Sequence, residues 1–368
     1  MASFNPESGY DRTKEVKEFD ESKLGVKGLV DAGVTTIPRI FHYPASDVTT
    51  VLHDNATFPS LAIPTVDLSL PRHRAVALAS AAAREWGIFH VTNHGVPVDV
   101  VPAAVSAVQA FNELPAEAKA AYYSRELENS VTFSSNYDLH NSTAASWRDS
   151  LRMLMAPTPP DAAKIPEVCR RELLEWEKHA LGVARTAMGL LSEGLGLEAG
   201  RLEGLSGLEQ RAMVGHYYPY CPQPELTMGI SGHTDSGFLT MLVANRIDGL
   251  LVRKPAEAEV GGGEWFKVET VPGAIVINIS DALQMVSNDE YKSVEHKVVA
   301  NPRREPRVSI AIFFSPNQSD DTTYFGPLPE LVSEEKPARY RNFTMSEFMN
   351  TFFHSKLGTR SLQDHFRL

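Results

Sequence analysis

What most limits the fold of this 368-residue chain is a change of character after residue 210. Short β-prone runs follow one another there, divided by turn residues: "AMVGHYYP", "TMGISGH", "LTMLVAN", "GLLVRK", "EWFKVE", "AIVINI", "HKVVA" and "RVSIAIFF". Each is rich in Val, Ile, Thr or aromatic residues, which suit a pleated, half-buried surface. Eight such strands at this spacing build a double-sheet jelly roll, whose mouth holds a small-molecule site. The expected fold is therefore mainly β with flanking helices, around a double-stranded β-helix (jelly roll) core.

The flanks read differently. "AVALASAAAREWGI" (75–88) is helical by composition, "IPTVDLS" (63–69) a short strand, and "FHVTNHGV" (89–96) a strand entering a turn. Apolar residues recur at helical spacing through 166–197, which predicts one long helix with a buried stripe. Residues 1 to about 12 read as a disordered tail, and the mixed-charge run 14–27 as one solvated amphipathic helix around Val16, Phe19 and Leu24. A second amphipathic stretch, 347–362, is expected to lie over the pocket mouth or against the outside of the barrel. "AEAEVGGGE" (256–264) is a low-complexity loop. The expected organisation is an N-terminal extension (1–60), an N-terminal region (61–165), the long helix and its connection (166–210), the jelly roll (211–320) and a C-terminal helical segment (321–368).

Charge and cysteine content exclude several classes of function. With 35 basic and 46 acidic residues the net charge is −11, which disfavours binding to phosphate backbones or anionic membranes. Only Cys169 and Cys221 are present, so neither a disulfide framework nor a Cys-rich zinc site is available. The N-terminus lacks the apolar core of a signal peptide, and no apolar stretch approaches the ~20 residues of a membrane span. The expectation is a cytoplasmic monomer acting on a small molecule, with no nucleic-acid or membrane partner.

Within the β-rich region, "GHTDSGFLTML" sets His233 and Asp235 two apart, on one face of a strand. Burying an imidazole beside a carboxylate is costly unless a positive group lies between them. His296 opens a later run, "HKVVA", and completes a set of two histidines and one carboxylate. Such a facial triad leaves three positions of an octahedral metal open and suits non-haem Fe(II). Zinc accepts the same donors, so the triad alone leaves the metal open. His90 and His94 read as structural, His94 capping the turn at Gly95, and His179 as a helix-surface residue.

Eleven residues beyond His296, "RVSIAIFFSP" sets Arg307 and Ser309 on a common strand face. An arginine with a hydroxyl beside it is a ready fork for the distal carboxylate of a dicarboxylic acid. Tyr218, in "HYYP", supplies a further donor from a neighbouring strand.

The pattern H-x-D, distant H, R-x-S resembles the plant 2-oxoglutarate/Fe(II)-dependent dioxygenases. The likeness runs through about residues 60–320, including "EWGIFHVTNHGVP", "HYYPYCPQPELTMGISGHTDSGFLTML" and "VPGAIVINISDALQMVSNDEYKSVEHKVVAN". The opening "FDESKLGVKGLVDAGVTTIPRIFHYP" is similar to one subgroup, the homologues of 1-aminocyclopropane-1-carboxylate oxidase. That subgroup includes desacetoxyvindoline 4-hydroxylase and the dioxygenase acting on the benzoxazinoid DIBOA-glucoside. The resemblance implies that His233, Asp235 and His296 bind Fe(II). It implies that Tyr218, Arg307 and Ser309 hold 2-oxoglutarate, with O₂ as co-substrate and ascorbate as a supporting reductant. One position departs from the family pattern: His216 stands where Asn is common, on the same strand face as Tyr218.

The implied reaction is hydroxylation of a ring-bearing specialised metabolite, such as a benzoxazinoid glucoside or an alkaloid, with release of succinate and CO₂. By position, Thr132, Phe133, Tyr137, Val214 and Phe313 are the expected substrate-contacting residues; for Phe133 and Phe313 ordinary core packing is the competing reading. Two other functions fit less of the sequence. One is an ascorbate-dependent oxidase of the 1-aminocyclopropane-1-carboxylate type, and the other a non-catalytic ligand-binding jelly roll.

Overall fold

The computed structural model of the chain describes residues 10–44, 48, 60–126, 128–136, 138–255, 263–354 and 362–368. Among the described residues five strands precede the β-rich region: β1 (Ser60–Leu61), β2 (Thr65–Asp67), β3 (Ile88–Thr92), β4 (Val131–Ser134) and β5 (Asp149–Ala156). The expected runs follow as β6 (Gln210–Tyr218), β7 (Met228–His233), β8 (Leu239–Ala244), β9 (Leu250–Pro255), β10 (Gly263–Val268), β11 (Ile275–Ile279), β12 (His296–Val299) and β13 (Arg307–Ser315). β14 (Tyr324–Phe325) and β15 (Phe343–Thr344) form a separate two-stranded ribbon.

Two sheets make the jelly roll. The larger has the order β2-β3-β11-β8-β13-β6-β5-β4, and the smaller β1-β10-β9-β12-β7. Strands distant in sequence lie side by side, β13 between β6 and β8, and β12 between β7 and β9. Side chains such as Ile63, Tyr218, Leu250, Val252, Val268 and Val298 fill part of the space between the sheets. Close approach is needed there. A Cβ on Gly229 of β7 would lie 2.9 Å from the Tyr218 ring and 2.8 Å from the Val299 carbonyl oxygen.

The helices are α1 (Arg12–Ser22), α2 (Gly25–Asp31), α3 (Arg72–Glu85), α4 (Val100–Asn112), α5 (Ala116–Ala120), α6 (Glu167–Gly194), α7 (Asp281–Val286) and α8 (Met345–His354). α6 is the long helix read from the apolar period, and Cys169, Leu173, Trp176, Ala180 and Ala184 form its buried stripe. With α3 and α4 it covers the outer face of the large sheet and builds the main core with Leu151, Met213, Met241 and Ile310. This is why "RVSIAIFF" reads as almost continuously apolar: β13 is covered on both faces.

The structure corrects one expectation at the N-terminus. The run 14–27 forms two helices, because Lys23 takes a left-handed conformation (φ 55°) and Gly25 another (φ 69°). Val16 and Phe19 of α1 join Phe41 and Trp147 in a second core. Asp149 accepts from the Val26 and Lys27 N–H groups at 2.8 Å, satisfying the first amides of α2. Residues 1–9 and 256–262 lie outside the described residues. Of the two placements weighed for the stretch 347–362, its described part in α8 takes the outer one: Phe348 packs on Phe343 and Phe366, within the main core; residues 355–361 lie outside the described residues.

Candidate functional site

β7 ends on His233, and β12 begins with His296 directly opposite it in register. Their rings stand 4.3 Å apart. Asp235 follows β7 into a turn, with Oδ1 3.8 Å from Nε2 of His233 and 3.7 Å from Nε2 of His296. The ligand atoms of the three all lie within 4.8 Å of one another, the one such cluster among the described residues.

Local backbone fixes which nitrogens face inward. His233 Nδ1 lies 2.9 Å from the Ser231 carbonyl and His296 Nδ1 3.2 Å from that of Val294. Each Nδ1–H donates there, which leaves both Nε2 atoms facing Asp235, the orientation a metal requires. Burial, and then the neighbouring His296, push the His233 pKa down to about 4, so its ring is neutral at physiological pH. Burial opposes ionisation of Asp235, but the two imidazoles outweigh it and hold the carboxyl below its usual range. Asp235 Oδ2 also accepts from Asn278 Nδ2 at 2.7 Å. The neutral imidazole of His233, the imidazole of His296 and an oriented carboxylate fit the donor set of a divalent metal site.

Sequence reading missed the groups that hold this set. Asn278 sits on β11, and a lone amide within the apolar run "AIVINI" was the available signal. Asp281, at the start of α7, donates its backbone N–H to the Asp235 carbonyl at 2.8 Å, and its side chain accepts from Thr234 at 2.9 Å. It is buried, and burial raises its pKa to about 6.

Across the jelly roll, on the large sheet, Arg307 pairs in register with Tyr218, and Ser309 with His216. Arg307 is 3% exposed and Ser309 1%. Arg307 Nη1 donates to Ser309 Oγ at 3.3 Å, while its buried Nε has no hydrogen-bond partner among the described residues. The guanidinium stands 4.9 Å over the Tyr218 ring. A buried guanidinium beside a hydroxyl, with a donor left over, fits the distal carboxylate of a dicarboxylic acid. His216 Nδ1 lies 2.9 Å from Ser150 Oγ, and burial holds the ring neutral, well below its ordinary pKa.

The expected substrate residues divide between the two faces of the sheet. Thr132, Arg152, Val214 and Ala311 form one row, on the inner face that also carries Ser309. Phe313 shares that face and is half-buried. Phe133 does not, which corrects the expectation for it. It pairs with Leu151, which pairs with Gly215, and Gly215 abuts Val108 of α4. Strand alternation thus turns Phe133 toward the helices, where it packs 5.5 Å from Phe111 and 6.1 Å from Tyr123. Tyr137 lies outside the described residues. Among the other histidines, His94 accepts the Val96 N–H at 3.2 Å and bonds the Gly273 carbonyl at 2.8 Å, and His179 pairs with Glu175 on the helix surface. No helix among the described residues is long and apolar enough to cross a membrane.

Comparison with known proteins agrees with this geometry. Residues 209–316 match the 2OG-Fe(II) oxygenase superfamily, and residues 63–172 the N-terminal region of non-haem dioxygenases in morphine synthesis. The chain is 42% identical to 1-aminocyclopropane-1-carboxylate oxidase homolog 4 of Arabidopsis thaliana, covering 97% of this chain and 99% of that one. It is 40% identical to homolog 3 of the same plant, covering 98% of each. Among solved structures it is similar to JOX2 in complex with 2OG, Fe and JA, with a TM-score of 0.79, 29% identity and coverage of 93% and 97%. It is also similar to the dioxygenase for auxin oxidation in rice, with a TM-score of 0.67, 25% identity and coverage of 83% and 100%.

Proposed function

Because the chain belongs to the 2OG-Fe(II) oxygenase superfamily, as a dioxygenase that uses Fe(II), 2-oxoglutarate and O₂, we propose that it hydroxylates a small, ring-bearing plant metabolite. His233, Asp235 and His296 hold the iron; Tyr218, Arg307 and Ser309 hold the distal carboxylate of 2-oxoglutarate. The observation that carries the assignment is that residues from β6, β7, β12 and β13 converge between the sheets: a three-ligand donor set and, separately, a buried Arg–Ser pair with a free donor.

The iron, when bound, supplies the coupled chemistry in which O₂ and 2-oxoglutarate give succinate, CO₂ and a hydroxylated substrate. The protein orients and shields. The Ser231 and Val294 carbonyls fix both imidazole tautomers, and Asn278 holds one carboxylate oxygen of Asp235 so that the other faces the imidazoles. Arg307 and Ser309 set where the co-substrate lies, and the apolar residues between the sheets limit water at the centre. Phe313, Val214 and Thr132 face the same interior and form the substrate wall. The substrate is a specialised metabolite, with a benzoxazinoid glucoside or an alkaloid as specific candidates; the protein acts as a monomer, and ascorbate supports turnover.

Anaerobic titration with Fe(II), with and without 2-oxoglutarate, tests the assignment through the charge-transfer band of the chelate. Asp235→Ala is expected to lose both iron binding and the band. Arg307→Ala is expected to keep iron but to weaken 2-oxoglutarate by roughly 30- to 1000-fold, with Arg307→Lys recovering part of the loss. Iron retained at full stoichiometry in Asp235→Ala, or unchanged 2-oxoglutarate affinity in Arg307→Ala, would overturn the respective role. Substrate-dependent succinate release from plant metabolite fractions identifies the compound oxidised.

A further inference from the structure

Arg148 immediately precedes β5 and is 5% exposed. Strand alternation places it on the face of Ser150, whose hydroxyl meets His216 on the inner face of the large sheet. The preceding residue, Trp147, bonds through its N–H to the Met228 carbonyl, so this stretch bridges the large sheet to β7 and hence to the strand bearing His233. The Arg148 charge reaches His216, where it adds to the effect of burial in lowering basicity. Its own electrostatics are incomplete. Among the described residues no carboxylate forms an ion pair with Arg148, and its buried Nε has no hydrogen-bond partner. Asp138 feels the charge but forms no ion pair with it.

A buried guanidinium without a counterion is costly unless an anion completes it. The fork of Arg307 is already matched to the co-substrate carboxylate, so Arg148 is a second cation on the same interior face. Arg152, four residues on, already donates to the Asn129 carbonyl at 3.3 Å. We propose that Arg148 is a specificity-determining residue that binds a carboxylate of the primary substrate, so that the enzyme oxidises a small organic acid whose apolar body lies against Val214 and Phe313. The proposal rests on the dioxygenase reading and narrows its substrate to a carboxylic acid, in place of the benzoxazinoid glucoside and alkaloid candidates.

The probes are benzoate, phenylacetate and phenylpropionate with their methyl esters, titrated anaerobically into the Fe(II)·2-oxoglutarate enzyme by calorimetry and by perturbation of the chelate band. Acids of the series are expected to bind roughly 10- to 100-fold tighter than their esters, the weight of a charge-assisted hydrogen bond. Arg148→Gln should remove that preference and Arg148→Lys restore part of it, while the affinity for 2-oxoglutarate in both variants stays within about twofold of wild type. The chelate band in each variant reports an intact fold and iron site. No acid binding in the wild type, equal binding of acid and ester, or a preference surviving in Arg148→Gln overturns the proposal. So does a loss of 2-oxoglutarate affinity in Arg148→Gln, which would assign this cation to the co-substrate. Absence of the band in wild type would instead refute the dioxygenase assignment itself.

Discussion

At the residue scale, two phenylalanines that look alike in sequence are set apart by the face each presents. Phe313 shares the inner face of β13 with Arg307 and Ser309 and is half-buried. Phe133 is fully buried on the helical side of β4, against Phe111. Phe313→Ala is therefore expected to leave 2-oxoglutarate affinity and melting temperature near wild type while succinate forms in excess over hydroxylated product. A loosely held substrate is oxidised less often per co-substrate consumed. Phe133→Ala should do the reverse: its buried ring is worth roughly 3–5 kcal/mol of stability, and coupling should survive in the folded fraction. The ratio of product to succinate, measured beside thermal melting for both variants, checks the pair. Exchange of the two phenotypes would show that the faces have been assigned the wrong way round.

At the scale of elements, the site depends on how closely β7 approaches β6. Gly229 has no side chain where the Tyr218 ring and the Val299 carbonyl already occupy the space. Gly229→Ala is expected to displace the ring or to part β7 from β12, because the backbone carbonyl cannot rotate away. Overpacking of this kind costs about 1–3 kcal/mol. Since Tyr218 stands beside Arg307, the apparent KM for 2-oxoglutarate should rise as well, and a chemical-denaturation midpoint read together with that KM tests both consequences. The strands themselves were legible. All eight runs after residue 210 form strands, because each carries enough β-branched and aromatic residues to be recognised in isolation. The break between α1 and α2 was not, since both segments keep an amphipathic pattern and only the left-handed backbone at Lys23 and Gly25 separates them.

At the scale of the whole molecule, the C-terminal segment is tied to the body through Asp289. This carboxylate accepts from Gln284 at 2.8 Å, Arg339 at 3.1 Å, Arg367 at 3.0 Å and the Tyr340 hydroxyl. Burial alone would raise its pKa, but these donors outweigh burial and bring it to about 2, against an ordinary 3.8. A depressed folded-state pKa stabilises above the unfolded value and loses that contribution as pH falls toward the folded one. Asp289 should thus contribute about 2 kcal/mol at neutral pH, fading between about pH 4 and pH 2. Urea unfolding across that window should show a shallower pH dependence in Asp289→Asn, which is less stable at neutral pH. Parallel curves for the two proteins would exclude the role.

The sequence by itself determined the jelly roll and the chemistry at its centre. Strand propensity is local, and the R-x-S pair lies within one strand, where a spacing of two gives a common face; the H-x-D pair straddles the end of β7, and the turn after His233 brings Asp235 alongside it. Only the tertiary structure decided which face is the interior. Thr132 and Phe133 are neighbours in sequence, yet their sides were chosen by pairing to β5 and β6, and by Val108 of α4 against Gly215. It also decided what supports the ligands. Asn278 reaches Asp235 across 43 residues of chain, and the Ser231 and Val294 carbonyls select the tautomers through backbone geometry. Arg148 belongs to the same class: its identity is plain in the sequence, but burial without a counterion arises only when two sheets close around it.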